Sequence, residues 1–167
     1  MPDLLTHVLC LYIIATLVGV RLEWLTPQYV TVGMLGAIVP DLTKIKLLVP
    51  SVQMELLLGV PFDWRAIHTL GGALVAVGIG ALCTTSQHRR RVLGLLFVGV
   101  VSHLSLDALL INASGYSYAV LFPFSTFHPP TPGLFLSSDR WPAAVSAGLA
   151  FILWQAKRRQ FMSGTHS

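Results

Sequence analysis

His103 and Asp107 stand four residues apart inside VVSHLSLDALL, a stretch that is otherwise apolar. On a helix that spacing puts both side chains on one face. Imidazole and carboxylate are the usual ligands of zinc-like divalent metals, and catalytic sites of that kind keep one position open for water. The pair therefore offers one wall of a metal site. The plainer alternative is two polar side chains bonding each other on a helix surface. Asp3 and His7 repeat the spacing near the N-terminus, and Asp41 (after Pro40) and His68 (opening an apolar run) are two further candidate ligands. Each has an ordinary structural role open to it: Asp41 as a turn cap, His68 bonding a backbone carbonyl, His7 packed near a helix start. Asp63 is equally suited to cap the helix that starts at Trp64.

The elements that position these residues follow from composition. Of the 167 residues 54% are hydrophobic and only 11% charged, with a mean hydropathy of +0.70. A soluble domain usually carries about a quarter charged residues, so a membrane protein with membrane lipids as partners is expected. Cys10 and Cys83 lie in apolar runs, in no CxxC arrangement, and are expected to be buried free thiols rather than a disulfide or a thiolate metal site. The start, MPDLLTHVLC, has no basic region and no small-residue cleavage site, and reads as a retained helix.

Apolar segments run from Leu4 to Val20, Tyr29 to Val39, Ala66 to Cys83, Val92 to Ile111 and Trp141 to Ala156. Lys44 to Val60, broken by Pro50 and followed by Pro61, reads as re-entrant or interfacial. The expected fold is all-α: a polytopic membrane helical bundle of about four or five transmembrane helices. It forms one integral-membrane domain over residues 1–160, with a short polar tail at 161–167.

Arg21, Arg89–Arg91 and Lys157–Arg159 put seven of the eleven Lys and Arg on one side, taken as cytoplasmic with the C-terminus; Lys44, Lys46, Arg65 and Arg140 fall on the other. His88 and His166 go with the basic side and are expected to be solvated. The loop GYSYAVLFPFSTFHPPTPGLF, carrying His128, lies outside. At 1.5 Å per residue His7 stands roughly 21 Å above Arg21, and His103 and Asp107 roughly 18 and 24 Å above Arg91. Asp41 and His68 come to a similar height. Residues from four segments thus meet in the outer half of the bilayer, where ionisable groups are costly unless they share a partner or a cation.

The order LLTHVL, GAIVPDL, RAIHTLGGAL and SHLSLDALL, followed by LFPFS, resembles the family of membrane-bound metal-dependent hydrolases, the YdjM-like inner-membrane proteins, in an archaeal version. The resemblance runs from His7 to about Phe124. It implies metal-site roles for His7, Asp41, His68, His103 and Asp107. Two departures accompany it. Family members often show Pro-Asp-x-Asp-His, where Leu42, Thr43 and Lys44 follow Asp41; and Asp63 stands where an earlier histidine would be, His68 matching the later one. With ligands lost, a single metal is favoured over two.

The expected function is a membrane-embedded hydrolase with a divalent metal, zinc by preference. A metal-activated water would attack an ester or phosphoester of a lipid-like substrate. His7, His68, His103 and Asp107 are the first ligands. Asp41 is a further ligand or the base that takes the water's proton, and Arg65 holds an anionic group. The alternative is a non-enzymatic metal-binding membrane protein or small transporter, against which stands the absence of an internal repeat. Nucleic-acid binding through HRRR is not expected, since a short basic loop has a topological explanation.

Overall fold

A computed structural model describes residues 4–164 of the chain; Asp3 and His166 lie outside the described residues. Six helices follow in order: α1 (Leu4–Val18), α2 (Pro27–Ile38), α3 (Ser51–Leu58), α4 (Leu70–Leu82), α5 (Ser86–Asp107) and α6 (Trp141–Gly164). Two 3₁₀ segments, Val39–Leu47 and Trp64–His68, lie before α3 and α4.

The prolines and caps place most of these boundaries. Pro27 opens α2 at a position where a missing N–H costs nothing. Pro40 ends it, because its ring cannot take the next helical bond, and the chain tightens into the 3₁₀ segment that carries Asp41. Gly59, at φ +70°, closes α3 in the left-handed conformation that favours glycine. Asp63 caps the second 3₁₀ segment by accepting from the Arg65 N–H at 2.9 Å, and these bonds from Arg65 hold its carboxyl below the ordinary range. Thr69 caps α4, accepting from the Gly72 N–H at 3.3 Å and donating to the Ala66 carbonyl at 2.7 Å. Replacing Thr69 with Ala is expected to lower stability by about 1 kcal/mol. Chemical denaturation of the variant beside the wild type measures it.

The long α5 is the centre of the molecule. It packs on α2 and α4, while α1 packs on α2 and α6. Ala73, Val77, Val92, Leu96, Val100 and Leu104 form the core between α4 and α5, and Ala15, Leu25 and Val30 fill a smaller one at the α1–α2 end. The α2–α5 crossing is backbone on backbone. A Cβ on Gly36 would collide with the Leu96 carbonyl, and one on Gly99 with the Gly33 carbonyl. The segment between α5 and α6 folds back on itself, with bridges at Leu110–Phe135 and Tyr116–Pro130. It then caps α4: the Val120 and Phe122 carbonyls accept from the Leu70 and Gly71 N–H groups at 2.8 and 2.9 Å, donors that a helix start leaves without intrahelical partners.

The all-helical expectation stands; the transmembrane one is corrected. Among the described residues no helix is long and apolar enough to cross a membrane, which overturns the polytopic bundle of four or five transmembrane helices. Helices α1, α2 and α4 have 15, 12 and 13 residues, too short for a hydrocarbon core about 30 Å thick. Helices α5 and α6 have 22 and 24 residues but include the basic runs His88–Arg91 and Lys157–Arg159. The re-entrant segment expected at 44–60 is instead the end of a 3₁₀ segment followed by α3. The cysteines are free, as expected, but Cys83 is exposed and Cys10 half-buried, its thiol pushed up by burial.

Candidate metal centre

Four elements deliver ionisable side chains to one buried point. The first turn of α1 brings His7, the 3₁₀ segment after α2 brings Asp41, the one before α4 brings His68, and the last turns of α5 bring His103 and Asp107. All five are buried, His7 and His103 completely. Asp107 sits among three imidazoles: His68 Nε2 lies 3.0 Å from its Oδ2, His103 Nε2 3.5 Å from the same oxygen, and His7 Nε2 3.6 Å from Oδ1. The His7 and His103 rings stack at 3.7 Å. The last turns of α5 are therefore not a helix surface, and the surface-pair alternative for His103 and Asp107 does not describe them.

The backbone orients His103. Its Nδ1 lies 2.7 Å from the Ala37 carbonyl, which can only accept, so Nδ1 donates there and Nε2 is turned inward. Nε2 faces His68 Nε2 at 3.3 Å and the Asp107 carboxylate. A His68 proton can serve one of these partners. It still leaves both nitrogens of His7, Asp107 Oδ1 and Asp41 Oδ1 with no hydrogen-bond partner. Buried polar atoms are rarely left so. Burial, reinforced by His103, lowers His7 to about 4, so its ring is neutral at physiological pH.

This donor set fits a divalent cation. One ligand atom each from His7, His103 and Asp107 lies within 4.8 Å of the others, and the same holds for Asp41, His68 and His103. Neutral imidazoles and carboxylates are the ligands such ions take, and a carbonyl bonded to the far nitrogen of a ligating histidine is the usual device that orients it. The buried His and Asp groups could hold a metal ion.

The cluster opens to solvent through a cavity of about 310 Å³ lined by Thr43, Lys46, Arg65, His68, Asp107, Leu110, Asn112, Ser117 and Tyr118. Arg65 lines this mouth rather than the cluster, and its Nε holds Asp63 Oδ2 at 2.8 Å. Asp41 Oδ2 accepts from Lys44 Nζ at 2.8 Å, and Oδ1 has no partner. Asp63 is the 3₁₀ cap and stays outside the cluster. Ser117 and Tyr118 were not legible as site residues: the aromatic loop gives no periodicity to place them. Tyr118 lies edge-on to His68 at 5.0 Å. Burial and the nearby charges of Asp107 and Asp41 raise its phenol above the ordinary range, so it stays a donor. His128 braces this wall by donating from Nδ1 to the Ser117 carbonyl at 2.8 Å. His88, on the basic end, is exposed but bonds Tyr29 at 2.7 Å.

Fold and site together define an all-helical protein built around a buried His/Asp cluster of metal-binding character. The chain belongs to the YdjM inner membrane protein family, whose model matches residues 1–165. No curated protein matches it, and no solved structure does.

Proposed function

We propose that the chain is a metal-dependent hydrolase that cleaves an ester or phosphoester of a lipid-like substrate at the membrane, with zinc as the metal. The observation that carries this reading is the inward-facing His103 Nε2, oriented by Ala37, in a cluster where buried atoms of His7, Asp41 and Asp107 have no hydrogen-bond partner. His7, His68, His103 and Asp107 would hold the ion, with Asp41 beside them. The chemistry supplied by a bound divalent cation is water activation and polarisation of the substrate oxygen.

The chain's own residues supply the rest. Asp41 Oδ1, left without a partner while Lys44 holds Oδ2, is the acceptor for the proton of the attacking water. Lys44 keeps that carboxylate turned. Arg65, at the cavity mouth, orients an anionic portion of the substrate. A lipid-like substrate is supported by the family's inner-membrane character and by exposed apolar side chains, among them Leu47 and Leu48 next in sequence to Lys46 of the mouth, and Leu56 and Leu57 of α3.

Elemental analysis of the purified chain, combined with hydrolysis assays over a panel of phospholipids and soluble phosphoesters, tests the reading. About one tightly held metal per chain is expected, lost in His103→Ala together with hydrolysis. A wild type without stoichiometric metal overturns the proposal. Stoichiometric metal with no hydrolysis anywhere on the panel selects the non-enzymatic metal-binding alternative.

A further inference from the structure

The cavity wall facing the cluster carries two buried hydroxyl groups that bond nothing. Ser117 is 3% exposed and its Oγ has no partner, nor has the buried phenol oxygen of Tyr118. Both residues line the cavity that reaches His68 and Asp107, and Lys46 and Arg65 line the same space. The backbone of the serine is held from both sides. Its N–H donates to the Pro129 carbonyl at 2.8 Å, and its own carbonyl accepts from His128 at 2.8 Å. Two neutral donors with two cations beside them, next to a buried carboxylate, do not suit a simple carboxylic ester, which presents one carbonyl oxygen. They suit a group with several anionic oxygens, which can take hydroxyl donors on some and guanidinium or ammonium charge on others.

We propose that Ser117, Tyr118, Lys46 and Arg65 form a phosphoryl subsite, so that the substrate is a phosphate ester whose non-bridging oxygens dock on this wall. The assignment of substrate class rests on the hydrolase reading above. The existence of an anion subsite does not, because none of the four residues belongs to the proposed ligand set.

Isothermal titration of inorganic phosphate into the purified full-length chain tests the subsite, with acetate as the comparison anion and metal content measured on the same samples. Ser117→Ala and Tyr118→Phe are each expected to weaken phosphate on the order of tenfold, since each removes a hydrogen bond to a charged group. Lys46→Ala is expected to weaken it and flatten its salt dependence. Acetate is expected to bind at least about tenfold more weakly than phosphate. Lys46 is exposed and its replacement leaves the core intact, so the test survives if Ser117→Ala fails to fold. Competition by phosphatidic acid vesicles identifies a lipid headgroup as the source of the phosphoryl group, and competition by glycerol 3-phosphate a soluble ester; competition by neither counts against the subsite. Phosphate binding that is absent in metal-replete protein, equal in all variants, or matched by acetate overturns the subsite and leaves the hydrolase reading standing. Phosphate binding that follows these variants in a chain without metal keeps the subsite and removes the hydrolase.

Discussion

Asp107→Asn is expected to abolish metal retention and, with it, hydrolysis, while leaving the metal-free protein folded. The substitution keeps shape and volume but removes the one carboxylate that faces His7, His68 and His103 together. Loss of a ligand should exceed the roughly 10–100-fold that loss of a ligand-orienting group costs in metal affinity. The fold should lose stability as well. Asp107 is 3% exposed, and although burial opposes its charge, His103 and His68 hold its carboxyl below the ordinary range, so even without a cation the carboxylate is a partner in the cluster. Metal-free Asp107→Asn is therefore expected to be less stable than metal-free wild type. With the ion present the gap widens, because binding only to the folded state adds about 2.7 kcal/mol at a hundredfold excess over Kd. Thermal unfolding with and without a chelator reads both. A wild type indifferent to the chelator, or a variant as sensitive as the wild type, contradicts the assignment.

The parts of this site that sequence reveals are those set by local spacing. His103 and Asp107 share a face because they are four apart on one helix. Counting residues from the basic ends gave His7, Asp41 and His68 similar heights, and the structure does bring all five side chains together. The same counting misjudged the membrane. High overall hydropathy says how much apolar surface there is, but Pro40, Pro50 and the runs at His88–Arg91 and Lys157–Arg159 divide it into helices that fall short of a span. The phosphoryl wall was hidden for another reason. Ser117 and Tyr118 reach the cavity through a loop held by the His128 side chain and by backbone bonds of Pro129 and Thr131, contacts to backbone groups that leave no pattern in the residue types. Glycine content is no guide to helix crossings either. In the run LGGALVAVGIGAL of α4, Gly78 has open space beside it, and the close approaches at Gly71 and Gly72 are to Pro123 and to the Ala66 carbonyl. The tight helix crossing is between α2 and α5.

That crossing yields the second large effect. Gly36→Ala places a methyl group on the Leu96 carbonyl, and Gly99→Ala places one on the Gly33 carbonyl. Neither obstacle is a flexible side chain that could swing aside, so α2 must move away from α5. Overpacking of this kind costs about 1–3 kcal/mol. The displacement also acts on the metal centre, because the residue after Gly36 is Ala37, whose carbonyl orients His103 at 2.7 Å. If α2 retreats, that bond lengthens, the proton on Nδ1 is no longer fixed, and Nε2 loses its inward orientation. Gly36→Ala is therefore expected to lower stability and also to weaken metal binding by roughly 10–100-fold, although Gly36 touches no ligand. Gly94→Ala is the matched control, on α5 with nothing within 4 Å of the added Cβ. It should leave metal affinity alone and stabilise by up to about 1 kcal/mol through helix propensity. Denaturation midpoints and competitive metal titration on the three variants decide it. If Gly36→Ala loses stability but holds metal as tightly as Gly94→Ala, the Ala37 carbonyl is not what aims His103, and the close α2–α5 crossing serves packing alone.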